Sequence, residues 1–255
     1  MKITFLGTGT SQGVPVIGCR CDTCISQDEH DQRLRSSILL EDNGMTVVVD
    51  TGPDFRQQML RTGIDRLDAV LYTHAHRDHI AGLDDIRAFN FRQRSPMDIY
   101  AERRVMRSLK SSFPYVFAVH RYPGIPQVRI HEISNSPFSI GKMQIIPVRL
   151  MHHTLPVLGF RIGNFAYLTD GSSISRVEKV KLSGLSHLVV GALRKEEHIS
   201  HFTLSQALEL IAELAPGNAF LTHISHQMGP AKVLKKELPP GVEPAYDGMV
   251  LDPGL

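Results

Sequence analysis

Four side chains of metal-binding type crowd into residues 73–79, which read THAHRDH: His74, His76, Asp78 and His79. Imidazole and carboxylate are ligands that zinc, manganese and iron all accept. Four of them within six positions can serve two ions if the chain turns there. The preceding run DAVLY is apolar and reads as a buried strand, so the motif sits where a strand ends. Two cations sharing a water would supply hydroxide at neutral pH and neutralise charge developing on a phosphoryl or carbonyl oxygen. Neutral imidazole ligands keep such a centre electropositive, so it would draw in an anionic ester. Further candidates end other apolar runs, where loops gather and sites form. These are His152 or His153 after IIPVRLM, Asp170 after FAYLT, and His223 after AFLT. Each alone reads as a capping or hydrogen-bonded polar residue. Together with THAHRDH they read as one site.

A second constellation is GCRCDTC, residues 18–24, which holds all three cysteines of the chain: Cys19, Cys21 and Cys24. Three thiols are one too many for a disulfide and one too few for a tetrahedral zinc site. Clustered cysteines in a chain that reads as cytoplasmic more often bind metal than form isolated disulfides.

The elements that must position these groups are short. Strands are expected at 3–6, 37–40, 46–49, 69–72, 99–101, 128–133, 144–149, 158–162, 165–168, 188–190 and 219–221. Each is bounded by Gly, Pro, Asn or Asp. Helical periodicity is clearest at 204–214, with Thr203 as N-cap and Pro216–Gly217 as terminator. Further helices are expected at 55–62, 84–91, 103–111 and 231–237. Many strands with interspersed helices, no linker and no close repeat predict one α/β domain over residues 1–255, with its sheets covered on their outer faces.

The bulk composition narrows the function classes. A chain of 255 residues, 42% hydrophobic, can bury a large core. Nucleic acid cannot be inferred as a partner from a formal net charge of +2 and is not expected, although that balance leaves room for a local basic patch. No run approaches the roughly 18 apolar residues of a membrane span. MKITFLGTGT lacks the apolar core of a signal peptide, so a cytoplasmic location is expected.

H-x-H-x-D-H after a strand, followed by a lone His, an Asp and a final His, resembles the metallo-β-lactamase superfamily, from TFLGTGTSQG to YDGM. The resemblance implies a four-layer αββα sandwich of two mixed sheets with a dinuclear metal site along one edge. By that resemblance His74, His76 and His152 hold the first metal, and Asp78, His79 and His223 hold the second. Asp170 bridges both, and Asp50 in VVVDTG is a buried orienting carboxylate. His226, three residues beyond His223 in LTHISHQ, has no part in that set. With Cys19, Cys21 and Cys24 it would complete a closed Cys₃His structural zinc site bracing the catalytic edge.

GCRCDTC together with LTHISHQ and YDGM is similar to the subgroup of phosphodiesterases that open phosphoribosyl 1,2-cyclic phosphate in phosphonate breakdown. That likeness implies two catalytic divalent metals (Mn or Zn, with Fe as an option), one structural Zn and a small phosphate-ester substrate. It implies Asp78 and His201 as catalytic residues, His201 serving the leaving oxygen, with His198 as its nearby competitor. Arg33, Arg35, Arg161 and the turn TGTSQG are candidate anion contacts. The alternatives are an RNA-processing nuclease, a carboxylic ester, lactone or thioester hydrolase, and a non-catalytic metalloprotein. ERRVMRSLK reads as a solvated helix face rather than an RNA-gripping arm. A homodimer is the base-rate expectation for oligomeric state.

Overall fold

Side-chain alternation decides the layers of this molecule. In the run at 47–49, Val47 and Val49 face one core and Val48 the opposite one; in the next strand Ala69 and Leu71 separate from Val70 in the same way. A one-residue slip in any such strand would exchange its two faces, so the register is firmly set. The computed structural model describes residues 1–119 and 122–253.

The first sheet contains β1 (Lys2–Gly7), β2 (Ser37–Asp42), β3 (Met45–Val49), β4 (Ala69–Leu71), β5 (Met97–Glu102) and β6 (Val128–Ile133), in that spatial order. The second contains β7 (Phe138–Ile140), β8 (Met143–His152), β9 (Leu155–Ile162), β10 (Phe165–Leu168), β11 (Ser173–Ile174), β12 (His187–Gly191), β13 (Asn218–Thr222) and β14 (Val242–Pro244). A final strand, β15 (Val250–Leu251), crosses back to pair with β1. Both sheets are mixed in the same way. β1, β2 and β3 pair antiparallel and β3 to β6 parallel. Likewise β8, β9 and β10 pair antiparallel, and β10, β12, β13 and β14 parallel.

One core lies between the sheets, where Phe5, Val49 and Leu71 meet Phe160, Phe165 and Tyr167. Outside the first sheet pack α1 (Phe55–Thr62), α2 (Arg77–Ile80), α3 (Arg87–Gln93) and α4 (Arg103–Ser112). Outside the second pack α5 (Arg176–Val180), α6 (Leu204–Leu214) and α7 (Ala231–Glu237). This is the αββα sandwich. α6 carries the expected cap: the Thr203 side chain and Gln206 form a reciprocal capping box.

Several elements differ from the sequence expectation. The helix expected at 84–91 begins as a 3-10 turn, Leu83–Ile86, and becomes α3 only at Arg87. Gly82 is pressed against the Gly52 carbonyl there, where an added Cβ would stand 2.2 Å from the oxygen. The strand expected at 144–149 runs on to His152 and turns directly into β9 through His153 and Thr154, with His153 at φ +55°. β7, β11, β14, β15 and α5 are two to five residues long and were not anticipated. Segments that short carry no readable period.

Candidate metal centre

Five residues of the edge stand at or just beyond the carboxyl end of a strand, the usual place for sites in open α/β sheets, while His76, Asp78 and His79 lie at or in α2 and His201 in the loop before α6. Asp50 follows β3, His74 follows β4, His152 ends β8, Asp170 follows β10 and His223 follows β13. Asp50, Asp170 and His223 all adopt left-handed backbone, with φ of +66°, +54° and +56°. Non-glycine residues rarely do so, and such strain concentrates at functional sites. The segment 74–79 turns through α2 and is sewn to the loop after β3, with Thr51 N–H donating to His79 O at 2.8 Å. Gly52 allows this approach, since a Cβ there would lie 2.2 Å from the Asp78 carbonyl oxygen.

Asp78, His79, Asp170 and His223 bring ligand atoms within 4.8 Å of one another. His79 Nε2 lies 3.2 Å from Asp78 Oδ2 and 3.3 Å from Asp170 Oδ2, and His223 Nε2 lies 3.3 Å from Asp170 Oδ1. Ligands at about 2.1 Å from one ion stand roughly 3.0–3.4 Å apart in tetrahedral or octahedral geometry. The observed spacings match that, and His79 Nε2 is fully buried with no hydrogen-bond partner among the described residues. The donor set therefore fits a divalent cation.

A second group adjoins it. The rings of His74 and His76 are 4.6 Å apart, those of His76 and His152 4.9 Å, and those of His74 and His152 5.7 Å. His74 Nε2 and His152 Nδ1 are buried and unpartnered. His152 also falls within 4.8 Å of Asp170 and His201, so Asp170 belongs to both groups. The two histidines at 152 and 153 separate clearly: His152 is buried in the cluster and His153 is exposed in the hairpin turn. His201 is held between rings, 4.5 Å from His152 and 4.9 Å from His223, with Nδ1 3.8 Å from Asp170 Oδ1.

Outer partners fix the inner ones. His79 Nδ1 donates to Asp50 Oδ2 at 2.7 Å, which leaves Nε2 free to face the cluster. Thr73 steadies Asp50 through its N–H at 2.9 Å and its hydroxyl at 2.7 Å. Thr169 donates to Asp170 Oδ2 at 2.5 Å. Such supports set ligand orientation and basicity. The sequence reading missed these threonines, yet a signal was there: Thr73, Thr169 and Thr222 each directly precede a candidate ligand.

Burial and close opposite charges act against each other across the site. Burial pushes the Asp170 carboxyl up, but His223 and then His79 outweigh it and hold it well below the usual carboxylate range. Burial would lower His79, yet Asp78, Asp170 and Asp50 raise it well above the usual histidine range. Burial drives His74 well below its ordinary value, as suits a neutral ligand. Burial, reinforced by His223, lowers His201 to about 3.

The suggested anion contacts are otherwise engaged. Arg33 is buried and donates to Thr8 Oγ1 at 2.8 Å and Ala245 O at 2.5 Å. Arg35 pairs with Asp54 at 3.0 Å, and Arg161 binds the carbonyls of Gly163, Lys181 and Ser183. In the TGTSQG turn the amides of Thr8, Gly9, Thr10 and Gly13 are bonded within the protein. It is a structural turn rather than an anion cradle.

At the other constellation, Cys19, Cys21, Cys24 and His226 lie within 4.8 Å of one another, and the cysteines form no disulfide. His226 Nδ1 stands 3.4 Å from Cys19 Sγ and 3.3 Å from Cys21 Sγ. The His226 hydrogen bond lowers the Cys21 thiol to about 6, while burial raises Cys24 to about 11. The cluster ties the N-terminal loop to the loop after β13. Thr10 N–H donates to Ile224 O at 3.2 Å and Ile224 N–H to Thr8 O at 2.9 Å, between His223 and His226.

With this geometry in hand, comparison with known proteins is informative. A model of the beta-lactamase superfamily domain matches residues 45–224. A crystal structure described as a new diphosphatase from the PhnP family is 40% identical, with a TM-score of 0.93, and the match covers 98% of this chain and 96% of that one. An octanoyltransferase of Porphyromonas gingivalis is 40% identical over 98% of this chain but only 51% of its own length. A ribonuclease Z of Anoxybacillus flavithermus is 28% identical over 64% of this chain and 48% of its own length. The chain therefore spans about half the length of these curated relatives. Zinc-bound PqqB from Methylobacterium extorquens shares the fold, with a TM-score of 0.82 at 18% identity.

Proposed function

The chain belongs to the beta-lactamase superfamily, and from that membership we propose that it is a metal-dependent hydrolase of small phosphate esters, opening a cyclic phosphodiester of the phosphoribosyl 1,2-cyclic phosphate type. One observation carries the reading: two groups of metal-type side chains, Asp78, His79 and His223 in one and His152 and His201 in the other, share a single carboxylate, Asp170. A fold family that binds divalent metals supports it, as does the neighbour named a diphosphatase, whose reaction also cleaves a phosphoryl–oxygen bond.

In this reading His74, His76 and His152 hold one ion, and Asp78, His79 and His223 hold the other. Asp170, within reach of both groups, would be shared between them. Bound divalent metal would supply hydroxide at neutral pH and charge neutralisation at the phosphoryl oxygens. Asp50 and Thr73 keep the His79 ring in its tautomer. Asp78 anchors the start of α2 against the second ion. His201 delivers a proton to the departing oxygen; an anionic ester beside it raises its proton affinity from the low value that burial imposes. Cys19, Cys21, Cys24 and His226 hold a structural zinc. Three thiols left unpaired accord with a reducing compartment, the cytoplasm.

The test is hydrolysis of phosphoribosyl 1,2-cyclic phosphate by Mn²⁺-loaded protein, followed by phosphorus NMR, with Asp170→Ala as control. Ring opening by the wild type alone supports the reading. No reaction in metal-replete protein refutes it. A second reading, thioester hydrolysis, has one observation in its favour: the octanoyltransferase matches nearly the whole chain. The unmatched half of that relative is long enough to hold an activity of its own. Release of thiol from an octanoyl thioester, measured in the same preparation, decides between them. For an RNA nuclease the basic helix is a poor grip, since Arg103 and Arg104 are already paired with Glu132 and Glu102.

A further inference from the structure

Residues 194–203 form a loop beside the metal edge whose base is closed by backbone bonds. Leu193 N–H donates to Phe202 O at 3.0 Å, and Leu204 N–H to Arg194 O at 2.9 Å. The base is fastened to the site itself. Phe202 N–H donates to Gly171 O at 2.6 Å, next to Asp170, and Ser225 N–H donates to Leu193 O at 3.0 Å, between His223 and His226. Arg194 crosses the interior of the loop, donating to Glu197 O at 2.6 Å, Glu196 O at 3.3 Å and Gln227 Oε1 at 3.3 Å.

This fixed loop presents two histidines. His201 is the inner one, packed among His152 and His223. His198 is one ring further out, its centroid 5.2 Å from that of His201, and it is part-exposed. Ser200 N–H donates to His198 Nδ1 at 3.3 Å, with the Ser200 hydroxyl at the same distance. A backbone N–H can only donate, so Nδ1 is the acceptor and the proton of the neutral ring sits on Nε2. Among the described residues Nε2 has no hydrogen-bond partner. The ring is held in one tautomer, one ring further from the metal edge than His201, with its Nε2–H directed to no protein group.

We propose that His198 is a substrate-contacting residue whose Nε2–H binds an oxygen of a second, non-scissile phosphoryl group on the leaving-group side of the ester. The proposal rests on the phosphate-ester reading and adds a specificity to it. His198 takes no part in bond cleavage and tells a doubly phosphorylated substrate from a singly phosphorylated one.

The experiment compares His198→Ala and His198→Gln with wild type on two substrates, phosphoribosyl 1,2-cyclic phosphate and ribose 1,2-cyclic phosphate, which lacks the second phosphate. For His198→Ala the expected result is a KM raised about tenfold on the first substrate, with kcat within about twofold and less than twofold change on the second, the loss of one hydrogen bond to a charged group. Gln retains an N–H donor and recovers part of the loss. Equal losses of kcat on both substrates would overturn the proposal and make His198 a support for His201. No change on either would overturn it as well. If wild type turns over neither substrate, the phosphate-ester reading fails by itself, and binding of inorganic pyrophosphate to the metal-loaded proteins, followed by calorimetry, becomes the deciding measurement. Equal affinity in wild type and His198→Ala then refutes the contact.

Discussion

The two clusters of metal-type side chains are built on opposite plans. The edge cluster draws residues from both sheets, from His74 near the start of the chain to His223 near its end. His74, His152, Asp170 and His223 are buried at strand ends, His79 is buried in α2, and several are held by a second hydrogen-bonding partner. The cysteine cluster draws three ligands from six consecutive positions on one loop and a single histidine from across the molecule. The first shares a carboxylate between two groups and keeps its donors strained and oriented. The second uses soft ligands in a closed set, with nothing left over to meet a substrate. In the proposed function the labour is divided accordingly: the edge cluster does the chemistry and the cysteine cluster fastens two loops.

That division can be attacked experimentally. The largest effect is expected from Asp170→Ala, which removes the shared carboxylate. Turnover should fall by at least about 10³-fold, and metal analysis should show the edge ions lost while one zinc per chain stays with the cysteines. Loss of all metal together would erase the distinction. Next comes Asp50→Asn, which leaves the fold intact but weakens the acceptor for His79. Metal affinity at the edge should drop roughly 10- to 100-fold, measured by competition with a chelator. Cys21→Ala should show the converse pattern. Its melting temperature should fall by roughly 5–10 °C in calorimetry, while kcat at low temperature stays within about threefold. A variant as stable as wild type and still zinc-replete would contradict the fastening role.

Smaller still is a chemical signature in protein stripped of metal. Cys21, lowered to about 6 by His226, should be alkylated well before Cys24, raised to about 11 by burial, at any pH between 6 and 9. Mass spectrometry reads the order, and zinc should protect both. The same contact stabilises the metal-free fold fully above the ordinary thiol pKa, and that contribution fades as pH falls through about 6. The smallest expected effect belongs to Arg161→Ala. Its guanidinium serves carbonyls remote from the site, so turnover should change by less than about twofold.

Both clusters had compact sequence marks, THAHRDH and GCRCDTC, because neighbouring ligands are visible as spacing. His152, Asp170 and His223 are single residues at strand ends, legible as one site only beside THAHRDH, and family resemblance gave them their separate roles. Geometry then did what spacing could not: it turned His152 inward and His153 outward, through a hairpin turn invisible in composition. For the candidate arginines the structure adds partners that sequence does not display: Arg33 binds Thr8 and Ala245, Arg35 binds Asp54, and Arg161 binds three carbonyls. The main strands of both sheets were legible from apolar runs. The short edge strands were not, since two or three residues stabilised by their neighbours carry no pattern of their own.

The matched layout of the two sheets bears on how the chain could be divided. Asp50 and Asp170 occupy equivalent places, each after the strand where antiparallel pairing gives way to parallel, and each in left-handed backbone. Asp170 lies among the metal-type side chains of both groups, and Asp50 binds His79 instead. The halves meet at residues 134–137, and neither cluster is complete within either half. Two fragments cut there and expressed together would each carry part of both clusters, so metal affinity would report their reassociation.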